Sequence, residues 1–121
     1  MSMTFPEMIA AARQKVGGIS AEAAAADGDA VILDVREAKE LVDARVDAPF
    51  VHIPLAEVAA TAETDPTLAA AKGAKPIYVL CAVGGRAALA GAALVDLGFD
   101  AKVIEGGIGA WSAAGLPVTG G

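Results

Sequence analysis

Hydrophobic positions along this chain follow two rhythms that alternate from one end to the other. Ala30-Val31-Ile32-Leu33-Asp34-Val35, Ile77-Tyr78-Val79-Leu80 and Ala101-Lys102-Val103-Ile104 are short, nearly continuous apolar runs. Such runs suit strands buried on both faces of a parallel sheet. Phe50-Val51-His52-Ile53 is a shorter strand signal, ended by Pro54. Between these runs apolar residues recur at helical spacing. Phe5, Met8, Ile9, Ala12 and Val16 define an amphipathic helix over Phe5–Val16, stopped by Gly17-Gly18. Ser20 is a natural N-cap for a helix over Ala21–Ala26, and Asp27-Gly28-Asp29 makes a turn. Glu37–Val42 predicts about two helical turns, and Leu55–Ala71 two helices parted by Asp65-Pro66. Ala87–Leu97 reads as a helix ended by Gly98, Ile108–Ala114 as a short one stopped by Gly115, and Pro117 onward as a tail.

Strands alternating with helices at this spacing predict an α/β fold in three layers, a central, mostly parallel sheet of four to five strands with helices on both faces. At 121 residues the chain makes one domain, with residues 1–16 as a helical extension and 17–121 as the body. Aromatic residues are few, so the core is aliphatic. A net charge of −6 with no basic cluster argues against nucleic acid as a partner. The first residues lack the basic start of a secretory signal, and no apolar stretch is long enough to cross a bilayer. The expectation is a cytoplasmic protein with no membrane partner.

Composition offers one candidate nucleophile. Cys81 is the only cysteine, which excludes an intramolecular disulfide and a four-cysteine metal site. It follows the predicted strand Ile77–Leu80 and opens the loop Ala82-Val83-Gly84-Gly85, closed by Arg86 at the start of the next helix. Helix N-termini present unpaired N–H groups and partial positive charge. A thiol held there is expected to ionise more readily, and the thiolate is the reactive form. In open parallel sheets ligands bind beyond the carboxyl ends of the strands. Cys81 and Asp34 both sit at such ends.

Four stretches, in this order and spacing, resemble the single-domain rhodaneses. These are Val31-Ile32-Leu33-Asp34-Val35-Arg36-Glu37, Val51-His52-Ile53-Pro54-Leu55, the run from Tyr78 through Cys81-Ala82-Val83-Gly84-Gly85-Arg86 to Ala88, and Val103-Ile104-Glu105-Gly106-Gly107 with Trp111 and Leu116-Pro117-Val118. The resemblance implies a rhodanese-like fold over 17–121 and a sulfurtransferase reaction. Cys81 would take the sulfane sulfur of thiosulfate or a similar donor as a persulfide and yield it to cyanide or a thiol. It also implies a substrate cradle of Ala82, Val83, Gly84, Gly85 and Arg86, whose amides suit an anion, with Arg86 drawing the anionic donor. Asp34 and Arg36 are expected to support the site rather than react. The resemblance implies no metal and no organic cofactor.

Loop length separates this expectation from the phosphatases and arsenate reductases of the same fold, whose loop carries one more residue; this loop has four between Cys81 and Arg86. The sequence also departs from the family. Ala82 and Val83 stand where thiosulfate-using relatives often carry a cation, and Ala44-Arg45-Val46-Asp47-Ala48-Pro49 replaces a Gly-His-Ile-Pro-Gly-Ala segment. An apolar loop rim therefore favours, as the alternative, a sulfur-carrier or regulatory module that exchanges persulfide with a protein partner. His52 reads as a strand histidine and Trp111 as packing, its N–H bound to a local acceptor.

Overall fold

The computed structural model describes residues 3–120 and contains a five-stranded parallel sheet. The sheet comprises β1 (Gly18–Ile19), β2 (Val31–Asp34), β4 (Val51–His52), β5 (Ile77–Leu80) and β6 (Ala101–Ile104), in the order β1-β6-β5-β2-β4. β5 is the middle strand and all four of its residues are buried. Parity along it feeds two cores. Ile77 and Val79 face one, while Tyr78 and Leu80 face the other, joined there by Ile32 of β2 and Ile104 of β6.

The larger core lies under α1 (Phe5–Val16), α4 (Leu55–Thr61), α5 (Pro66–Ala71) and α6 (Gly85–Asp96), and the smaller under α2 (Ala21–Ala26) and α7 (Gly107–Ala113). Both helix layers expected from the two-sided burial of the strands are present. Trp111 of α7 is buried in the smaller core and donates its indole N–H to Pro117 O at 3.0 Å.

The N-terminal helix is tied to the body. Thr4 and Glu7 form a reciprocal capping box at its start, and Ala12 and Val16 are buried at its end. A Cβ on Gly91 of α6 would lie 2.7 Å from Val16, so the glycine lets the two helices close together. Lys15 pairs with Asp96. The pattern placed Phe5 and Met8 on the buried stripe as well, but both are exposed. The core reaches only the C-terminal half of α1, leaving its first turn without a partner.

One pairing escaped the hydrophobic pattern. The tail after Pro117 contributes β7 (Val118–Thr119), which pairs antiparallel with β3 (Arg45–Val46) in the segment after α3 (Ala38–Asp43). Asp47 N donates to Pro117 O at 2.9 Å and extends the pairing. Among the described residues no helix is long and apolar enough to cross a membrane.

Candidate active site

Cys81 is delivered by strand parity. It continues the Ile77, Val79 series and so falls on the α6 side of the sheet, just beyond the end of β5. There the chain turns through Ala82, Val83 and Gly84 into the first turn of α6. Gly84 is the N-cap, with φ 118° in the left-handed region that glycine alone adopts readily. This conformation directs the Gly84 N–H onto Cys81 Sγ at 2.9 Å. The sulfur thus accepts a bond from its own loop at the positive end of a 12-residue helix. Only 1% of Cys81 is exposed, whereas Val83 at the rim is 75% exposed.

The neighbouring turn after β6 closes the site from behind. Ile108 N donates to Cys81 O at 2.9 Å. Gly107, with φ 60°, lies so close that a Cβ there would collide with Cys81 O, Ala82 O and Ala82 C, the last at 2.6 Å. The Glu105-Gly106-Gly107 turn therefore shapes the loop through backbone contact.

Arg86 stands where the sequence put it, in the first turn of α6, but its guanidinium is not free. It forks onto Glu40 of α3, Nη1 donating to Oε1 at 2.6 Å and Nη2 to Oε2 at 2.9 Å. Glu40 Oε1 also accepts from Glu37 N at 3.1 Å. Chiefly through the Arg86 hydrogen bonds, the Glu40 carboxyl is lowered to about 2, and Arg86 is held more firmly protonated in return. An anion seeking Arg86 meets a carboxylate already in place. The cation expected to draw an anionic donor is thus paired with Glu40 in this structure. The partner lies 46 residues away, where sequence spacing gives no hint of it.

Asp34 and Arg36 come together at the end of β2. Arg36 Nε lies 3.1 and 3.2 Å from the two Asp34 oxygens, and Nη2 lies 2.9 Å from Oδ2. The same Nη2 donates to Ala44 O at 2.8 Å, and Asp34 Oδ1 accepts from Arg36 N at 2.9 Å. Both residues are buried. His52 Nε2 bonds Arg36 O at 2.7 Å. The cluster fixes the exits of β2 and β4 and the start of β3. Every charged group in it is already spoken for. Among the described residues no group of three or more His, Cys, Asp or Glu side chains is placed to hold a metal ion.

One residue near the loop was passed over in the sequence. Arg13, in the last turn of α1, rests its guanidinium on Gly84, where a Cβ would meet Nη2 at 2.8 Å. The signal was indirect: a glycine at the loop's end, and an arginine one turn from the end of a helix that must pack somewhere.

The family model for the Rhodanese-like domain matches residues 20–114. No curated protein matches the chain. Among solved structures, a Rhodopseudomonas palustris protein of unknown function, described as a possible tyrosine phosphatase, is 26% identical with a TM-score of 0.78, over 98% of this chain and 96% of its own. A rhodanese-related protein of Thermoplasma volcanium is 31% identical with a TM-score of 0.69, over 84% of this chain and 96% of its own. The rhodanese-like domain of an Anabaena protein shares the fold, with a TM-score of 0.71 at 23% identity, over 85% of this chain and 78% of its own.

Proposed function

This chain belongs to the rhodanese-like domain family, and from that premise we propose that it is a sulfurtransferase working through a persulfide on Cys81. One observation carries the proposal: the sulfur is hydrogen-bonded by the loop amide of Gly84 at the head of α6. An anionic thiolate, and the persulfide anion after it, both gain from such a donor.

The chemistry needs one nucleophile and two successive partners. The Cys81 thiolate attacks the outer sulfur of a donor such as thiosulfate. The donor's S–S bond breaks, sulfite leaves with the electron pair, and Cys81 holds the sulfur as a persulfide. Cyanide or a thiolate then attacks that outer sulfur, and Cys81 departs as thiolate, ready for another round. Because Cys81 is 1% exposed, a donor must reach it with a narrow end, as a terminal sulfane sulfur does.

Phosphoryl transfer, suggested by the description of the Rhodopseudomonas relative, fits less well. The loop has four residues between Cys81 and Arg86. A leaving phenolate is assisted by a proton donor, yet Asp34, Glu40 and His52 are all committed to other partners. The exposed Val83 favours a second reading, in which a protein presents or collects the sulfur at an apolar rim.

The deciding experiment is intact mass after incubation with thiosulfate, followed by cyanide and measurement of thiocyanate. One added sulfur atom that cyanide removes supports the enzyme. No added sulfur from thiosulfate, but loading from a protein persulfide, supports the carrier. No loading from either ends the proposal.

A further inference from the structure

We propose that Arg13 of the N-terminal helix is the cation that receives the charged end of a small anionic sulfur donor. The inference rests on the sulfurtransferase reading and adds to it a residue from outside the matched family region, which begins at residue 20.

The loop itself supplies no available positive side chain. Ala82 and Val83 are apolar, and Arg86 is forked onto Glu40. Arg13 fills the deficit from another element. Its guanidinium packs on the bare Cα of Gly84, the residue whose N–H holds Cys81 Sγ. One glycine therefore touches both the nucleophile and the cation. Summed bond lengths and contacts through Gly84 limit their separation to about 9 Å. A donor joined to the sulfur through an S–S unit carries its anionic oxygens about 4–5 Å beyond the cysteine sulfur. An arginine N–H adds a further ~3 Å of hydrogen-bond reach, so the span of such a donor falls within that limit.

Arg13 is also held in place. Ile9, one turn earlier, lies 3.1 Å from where a Gly85 Cβ would be, Val16 packs at Gly91, and Lys15 pairs with Asp96. These contacts fix the rotation of α1 on α6, and with it the side that carries Arg13. Among the described residues Arg13 makes no ion pair and no side-chain hydrogen bond, so its donors are open to an incoming anion. Its place in the last turn of α1 suits the helix dipole, but that would not require a seat on the loop of another helix.

The test compares Cys81 alkylation by iodoacetate and by iodoacetamide, which differ in charge and little in size, in wild type, Arg13→Gln and Arg13→Lys. The expected result is an iodoacetate-to-iodoacetamide rate ratio above that of free cysteine in wild type. It should fall about three- to tenfold in Arg13→Gln and largely recover in Arg13→Lys. In sulfur transfer, Arg13→Gln should raise KM for thiosulfate while kcat for discharge to cyanide stays near wild type. A ratio unchanged by Arg13→Gln, or a Cys81 that iodoacetate never reaches, overturns the proposal. Because alkylation needs no turnover, it separates the two failures. A wild type that shows the anion preference yet takes up no sulfur sinks the sulfurtransferase reading and leaves the Arg13 anion site standing.

Discussion

Replacing Gly107 by alanine should damage the site more than any other single methyl group added near it. The new Cβ would enter the backbone of the cysteine loop, colliding with Cys81 O and Ala82 O and lying 2.6 Å from Ala82 C. None of these atoms is the tip of a flexible side chain, so either the loop or α7 must shift. Alanine at φ 60° costs about 1 kcal/mol. The Ile108 N to Cys81 O bond is strained or lost, costing about another 1 kcal/mol. Overpacking against backbone adds at least about 1 kcal/mol. The total, about 3 kcal/mol, is a large share of a small domain's stability. Gly109, two residues on in the same helix, provides the control. It has nothing within 4 Å of its Cβ direction and no positive φ. Gly109→Ala should therefore stabilise, by about 0.5–1 kcal/mol, through helix propensity alone. Urea unfolding of both variants beside wild type, with sulfur loading of Cys81 followed by mass, measures the two consequences. If Gly107→Ala unfolds within about 0.5 kcal/mol of wild type and loads at a similar rate, the turn does not shape the loop.

Cys81→Ser should abolish sulfur loading while unfolding within about 1 kcal/mol of wild type, since a hydroxyl can take the Gly84 N–H in place of sulfur; loading that survives in this variant removes Cys81 from the mechanism. Asp34→Ala strands the buried Arg36 guanidinium and should cost about 3–5 kcal/mol in chemical denaturation, so a loss below about 1 kcal/mol would mean the pair is replaceable by water. Glu40→Gln tests the fork on Arg86. The folded Glu40 is lowered to about 2 from an ordinary 4.5, so its contribution to stability is complete above pH 4.5 and fades as pH falls toward 2. With both side chains nearly a third exposed, we expect a wild-type advantage of about 1 kcal/mol at pH 7 that closes across that acid window. An advantage that stays constant down to pH 2 would show that the pair's charge is not what stabilises.

The sheet was legible because its strands are short apolar runs with no competing period, and because glycine or proline punctuates nearly every helix. The predicted bounds of α1, α2 and β6 coincide with those observed. Cys81 was legible for the same reason: it is the first residue past a fully buried strand and precedes a glycine-bearing turn. The missed pieces are pairings between distant residues whose local sequence carries no rhythm. Two-residue strands such as β3 and β7 are too short for alternation to register, so the tail after Pro117 read as loose. Arg86 looked like a free cation because Glu40 belongs to another helix. Arg13 drew no notice because its seat is made by Gly84, on a different element. Local chemistry names the candidate nucleophile, but long-range packing decides which charges lie near it.

The strand order also has a consequence for how the protein is made. β5 lies between β2, which precedes it by 46 residues, and β6, which follows it by 24. A chain emerging from the ribosome can form only the first of those pairings when Cys81 appears. The turn that backs the loop, Glu105-Gly106-Gly107, arrives later still. Until then the loop lacks the backbone contacts that Gly107 and Ile108 make with Cys81 and Ala82. During synthesis the cysteine therefore stays accessible to oxidants and chaperones after its own strand has emerged, until the turn that backs its loop has followed it.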